Sequence, residues 1–115
     1  TLYKEQERIC RDLGNINDLQ RSLGNQANIF YSRGDLDGAM SLYKEQERIC
    51  RELGIVDGLW QSLYAQALIC SKSQPEKAIS LFQEVINLLG QTGLAPDWMK
   101  KTKEKLSETQ QSLRS

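Results

Sequence analysis

The sequence predicts an all-α chain, a solenoid of stacked antiparallel helical hairpins, on three observations. The segment Leu42–Leu53, LYKEQERICREL, repeats Leu2–Leu13, LYKEQERICRDL, and the one difference is Asp12 against Glu52. The offset is 40 residues, and a weaker third copy starts at Leu81 as LFQEVINLLG; a fixed period of this size marks helical hairpins that stack. Between turn signals the apolar residues recur every three to four positions, and the glycines, Gly24 apart, stand singly near the ends of those stripes.

Thr1 is placed to cap a first helix, with Glu5 and Glu7 toward its positive end and Arg8 and Arg11 toward the other. Leu2, Tyr3, Gln6, Ile9, Cys10 and Leu13 form its stripe, and Gly14 supplies a left-handed stop. Asn15 to Asp18 read as a turn in which Asn17 or Asp18 caps the second helix. From Leu19 to Ser32 the stripe is Leu19, Leu23, Ala27, Phe30 and Tyr31, with Ala27 small where two helices approach. Asn25 and Asn28 are mediocre helix formers, so packing rather than propensity holds this element. Gly34-Asp35 signals a turn, and Asp35 or Asp37 caps a helix over 36–53 that carries Leu36, Ala39, Met40, Leu42, Tyr43, Gln46, Ile49, Cys50 and Leu53. Glu45 with Arg48 and Glu47 with Arg51 are spaced for local ion pairs.

Gly54 repeats Gly14, and Asp57 repeats Asn17 as turn and cap. Leu59, Trp60, Leu63, Tyr64, Ala67, Leu68 and Cys70 build the next helix. The connector Ser71 to Pro75 is one residue shorter than its counterpart, and Pro75 opens a helix where its missing N–H costs nothing. The apolar arc of that helix, from Ala78 to Leu89, is wide enough to be covered on more than one side. Gly90 closes it, Gln91 to Ala95 form a turn, and Pro96-Asp97 opens a last helix. Its thin seam of Met99, Thr102, Leu106, Thr109 and Leu113 suits a terminal cap. The frame is therefore one domain, with 1–14 as the second helix of a truncated repeat, 17–53 and 57–90 as full repeats, and 95–114 as the capping helix.

At 115 residues the chain is one domain by size, and its 15 basic and 15 acidic residues cancel. That balance argues against a nucleic-acid partner or an acidic membrane surface. No apolar run reaches bilayer length and no signal-peptide pattern is visible. The chain opens at Thr1 inside a repeat unit, as expected of a piece of a longer array. Cys10, Cys50 and Cys70 are odd in number and widely spaced. With no histidine and no CxxC they read as buried free thiols in a reducing, cytoplasmic compartment rather than a disulfide framework or a zinc site.

The repeat unit resembles the tetratricopeptide repeat family in its long, 40-residue form. The resemblance runs through Ala27, Phe30, Gly34, Asp35, Ala39 and Tyr43 in the central repeat and Ala67, Cys70, Pro75, Ala78 and Phe82 in the last. Leu23 and Leu63 take a large first-helix position that is often tryptophan there, and Tyr3, Tyr43 and Phe82 take the aromatic position of the second helix. Gln6 and Gln46 depart from the family's usual alanine, and the usual proline at the repeat end is absent. The resemblance implies a right-handed α–α superhelix whose first helices line a concave groove for a peptide or partner protein. On that groove it places Arg21, Gly24, Asn25, Asn28, Tyr31 and Ser32 from one hairpin and Gln61, Tyr64, Leu68, Ser71 and Lys72 from the next.

No catalytic constellation stands out. Without histidine a nucleophilic triad lacks its usual base, and the Asp and Glu pairs sit beside Arg and Lys at helical spacing. There is no glycine-rich phosphate loop, and no cofactor or metal is expected. Asn28 in mid-helix competes with its own backbone unless its amide is used, by a ligand or within the hairpin; otherwise it is a tolerated surface residue. Tyr31 and Tyr64 are either half-exposed recognition aromatics or packing between hairpins. Lys100 to Lys105 read as a solvated helix face or as a basic patch.

Two functions are open to such a chain: a protein–protein interaction scaffold whose groove takes a partner segment, or a structural spacer that self-assembles. The near-identity of the second helices favours the spacer. The divergence of first-helix positions, Asn28 against Leu68 and Gly24 against Tyr64, favours binding. Self-association is expected through Leu2, Tyr3, Ile9 and Leu13.

Overall fold

Apolar stripes of helical period, each bounded by a turn signal, give five α-helices among the described residues, 15–93 and 95–114, of the computed structural model. They are α1 (Ile16–Ser32), α2 (Leu36–Leu53), α3 (Val56–Cys70), α4 (Pro75–Thr92) and α5 (Pro96–Arg114). No strand occurs among the described residues, and no helix there is long and apolar enough to cross a membrane. The expectations for Thr1, Gly14, Cys10 and the stripe from Leu2 to Leu13 lie outside the described residues. The chain divides into two compact units, one ending at Gly58 and the other starting at Leu59.

In the first unit α1 and α2 pack as an antiparallel pair, joined by three residues. Gly34 takes a left-handed φ of 84° in the turn, and the Asp35 side chain accepts from the Gly38 N–H at 2.9 Å. Ala27 and Ala39 are fully buried, so the helices meet on small residues, while Tyr43, Ile49 and Cys50 fill the space beside them. The predicted ion pairs form at 2.5 Å for Arg48–Glu45 and 2.8 Å for Arg51–Glu47. Arg48 also reaches Glu52 at 3.0 Å. These exposed pairs add only a few tenths of a kcal/mol each, about 0.3–0.5.

The second unit is built by most of α3 with α4 and α5. Leu63, Ala67, Ala78, Phe82, Val85 and Leu89 are buried, and an aromatic cluster joins the three helices. Trp60 meets Trp98 at 5.4 Å, and Tyr64 stands edge-on to both Phe82 at 5.8 Å and Trp98 at 5.4 Å. Trp98 was not on the seam expected for the last helix; of that seam Thr102 and Thr109 are buried and Leu113 is exposed. Each buried threonine returns its hydroxyl to its own helix, Thr102 to the Trp98 carbonyl at 2.6 Å and Thr109 to that of Lys105 at 2.8 Å.

Three boundaries differ from the sequence reading. Helix α1 starts at Ile16, because the Asn15 carbonyl already accepts from the Asp18 and Leu19 N–H groups at 3.1 and 3.3 Å. Asn17 and Asp18 therefore lie inside the first turn rather than capping it, and Asp57 does the same in α3. Helix α4 runs through Gly90 to Thr92. Its left-handed stop is Gly93, at φ 63°, whose N–H returns to the Leu89 carbonyl at 2.9 Å, as Gly54 at φ 70° ends α2.

Gly90 is thus an exposed glycine inside a helix, and an added Cβ would meet only the Met99 Cε, at an ordinary 3.7 Å. Gly90→Ala is expected to stabilise the second unit by about 0.5–1 kcal/mol, read as a rise in its urea midpoint.

Candidate functional site

Arg21, Asn25, Asn28 and Tyr31 succeed one another at spacings of three and four, which gathers them on one side of α1, and all four are exposed. Arg21 makes only a loose, exposed pair with Asp18 at 3.6 Å. The Asn25 side chain makes no hydrogen bond among the described residues. Tyr31 keeps 40% of its surface in water. Asn28 is engaged within the hairpin: its Oδ1 accepts the phenol proton of Tyr43. Ser32 is exposed at the end of the helix.

The residues expected on the groove from the next hairpin divide. Gln61 and Lys72 are exposed, Leu68 is half-buried, and Ser71 returns its hydroxyl to the Leu68 carbonyl at 2.9 Å. Tyr64 is packed rather than half-exposed, which removes it from the groove candidates: only 8% of it remains accessible, because the Phe82 and Trp98 rings close over it. Gly24 is a second correction. It is buried and turned toward α2, where an added Cβ would stand 2.8 Å from Gln46 Nε2.

Beneath the exposed side of α1 lies a layer of buried polar side chains, of which the sequence reading had Gln46 but not Gln20. Gln46 Nε2 donates to Gln20 Oε1 at 2.9 Å, and Gln20 Nε2 donates to Asn17 Oδ1 at 2.7 Å. The Cys50 thiol points at the same Gln20 oxygen at 3.5 Å, and Gln46 Oε1 is buried with no partner. Gly58 seals the layer, since a Cβ there would run into Gln20 Oε1 and stand 2.6 Å from Cys50 Sγ. The signal was present in the repeat itself, for Gln6 and Gln46 occupy the same place on an otherwise apolar stripe.

Burial pushes the Cys50 thiol from 9.0 up to about 11, so it stays a neutral hydrogen-bond donor rather than a nucleophile. Burial, and next the neighbouring Tyr31, also raises the Tyr43 phenol. Both groups lose their proton more readily when unfolded. The thiol's contribution to stability is intact below about pH 9, its unfolded value, and is lost as pH climbs through its folded value near 11; the phenol's contribution is lost in the same direction, toward high pH. The unfolding free energy is expected to fall over that range by up to about 1.4 kcal/mol per pH unit for the thiol, read as a lower urea midpoint, and Cys50→Ala to flatten part of the slope.

No protein-family model matches the chain, and no curated protein matches it. Among the described residues no group of three or more His, Cys, Asp or Glu side chains is placed to hold a metal ion. Cys50 and Cys70 are buried free thiols. Within the Lys100–Lys105 stretch, Lys101 lies over the Trp98 ring at 4.9 Å and Lys105 pairs with Glu108 at 3.6 Å.

Proposed function

We propose that this chain is a non-catalytic protein–protein interaction scaffold of the tetratricopeptide repeat type, its hairpins succeeding one another in a right-handed α–α superhelix. The reading rests most on one observation: α1 presents Arg21, Asn25 and Tyr31 to water on one side while its other side is locked to α2. Such a helix holds hydrogen-bonding groups at fixed spacing, which is what an extended peptide backbone needs from a receptor. Asn28 spends its carbonyl oxygen on Tyr43 and keeps its N–H groups for a ligand carbonyl. Gln61 and Lys72 are the exposed candidates of the second unit. The partner is a protein or peptide, not nucleic acid or a membrane, and the buried free thiols favour a cytoplasmic setting.

The competing reading, a structural spacer with no groove ligand, draws on the near-identity of Leu2–Leu13 and Leu42–Leu53. Display of random peptides against the whole chain separates the two. Selected peptides that lose binding to Arg21→Ala/Asn25→Ala, with helicity unchanged, support the scaffold. Failure to select any peptide, or binding indifferent to those two side chains, supports the spacer. Arg21 and Asn25 suit the test because no buried contact depends on either.

A further inference from the structure

Tyr43 is buried, with 4% of its surface accessible, and its phenol makes one hydrogen bond among the described residues, to Asn28 Oδ1. A buried phenol proton needs an acceptor, and an asparagine amide offers one on its oxygen side only. Turning the Asn28 amide over would set its N–H groups against that proton, donor against donor. The phenol therefore fixes which way the amide faces, with the oxygen toward α2 and the N–H groups left to the exposed side of α1. Asn28 Nδ2 has no hydrogen-bond partner among the described residues.

Arg21, two turns earlier on the same stripe, carries donors and no acceptor, and its pair with Asp18 is loose and exposed at 3.6 Å. The two side chains leave the helix about 10 Å apart along its axis, the length of about three extended residues. Tyr31, three residues past Asn28, keeps 40% of its surface in water and lies near enough to Tyr43 to push its phenol further up. The second unit supplies the contrast. Leu68 stands where Asn28 stands and Phe82 where Tyr43 stands, so the amide and the hydroxyl are absent together.

We propose, on the scaffold reading above, that Tyr43 is the positioning residue of the α1 face: it holds Asn28 with its donors outward, so that this face takes oxygen atoms of a peptide segment and not its N–H groups. Arg21 and Asn28 each meet a ligand oxygen, from a backbone carbonyl or a carboxylate. Asn25 stands between them with an amide that no neighbour holds, and it adapts to either kind of group. The phenol touches no ligand; it acts through the amide alone. What it confers is selection, because a segment that offers N–H groups at these two places meets donors on both.

The probe is the set of random-library peptides selected against the whole chain and lost to Arg21→Ala/Asn25→Ala. Asn28→Asp keeps an oxygen for the Tyr43 phenol but puts a second oxygen where the outward N–H groups were. It is expected to weaken these peptides about tenfold without lowering the urea midpoint. Tyr43→Phe fills the same space and frees the amide to turn. It is expected to cost about threefold in affinity at unchanged helicity, and nothing further on the Asn28→Asp background. Amidating the peptide C-terminus and exchanging its Asp and Glu for Asn and Gln separates the two oxygen sources, since a backbone carbonyl survives both changes and a carboxylate survives neither. Peptides that depend on Arg21 and Asn25 but ignore Asn28→Asp overturn the role given to Tyr43 and leave the scaffold reading standing. So does a Tyr43→Phe loss that persists in full on the Asn28→Asp background, for then the phenol acts on the fold and not through the amide. Failure to select any peptide removes the scaffold reading, and the role of Tyr43 with it.

Discussion

Replacing Phe82 with alanine is expected to lower the unfolding free energy of the second unit by about 3–5 kcal/mol. The ring is completely buried and stands edge-on to Tyr64, which in turn stands edge-on to Trp98, so its removal opens a cavity where three helices meet. Neighbours fixed in an aromatic cluster cannot easily close such a gap, which places the loss toward the upper part of that range. The chain's two tryptophans, Trp60 and Trp98, both belong to this unit. Urea unfolding followed by tryptophan fluorescence therefore reads the loss where it occurs, while circular dichroism follows both units. A loss under about 1 kcal/mol would mean that the unit's stability is gathered somewhere other than this ring.

The second large effect concerns the buried amides of the first unit. Gln20→Leu takes the acceptor away from Gln46 Nε2 and from the Cys50 thiol, leaving the Gln46 amide with no partner on either atom. A buried polar group abandoned in this way costs about 1–3 kcal/mol. Adding Gln46→Val is expected to restore most of it, because removing both members of a polar pair spares the survivor its desolvation cost. Valine is what the second unit has at the matching place, Val85. The cycle is measured by chemical unfolding followed by circular dichroism. Losses that simply add would show that the two amides are not coupled.

Much of the helical frame was legible in the sequence because it is written in period and punctuation. The stripe from Ala39 to Cys50, the Gly34-Asp35 turn and the left-handed Gly54 rest on local rules, and so do the ion pairs of Arg48 and Arg51. What was misread depended on partners far along the chain. Gln20 gives no local sign of burial; it is drawn inward by Gln46, which lies 26 residues away. Tyr64 was placed on the groove by its position in the repeat, yet two aromatic rings from later helices cover it. Gly90 and Gly93 are chemically the same residue, and only the hydrogen bond from Gly93 to Leu89 decides which of them stops α4. Of the α1 residues that the resemblance placed on a groove, Arg21, Asn25 and Tyr31 are exposed, while the Asn28 oxygen is taken up within its own hairpin.

The contrast between an amide layer in one hairpin and aromatic rings in the next bears on how such a gene can be rearranged. A crossover that exchanged α2 for α4 alone would set Tyr43 and Gln46 against Tyr64, and Phe82 and Val85 against Gln20 and Asn28. Either hybrid would strand hydrogen-bonding groups in the dark. Recombination that moves a first helix together with its second carries the match along with it. Heredity in this chain is therefore safest when it deals in pairs of helices.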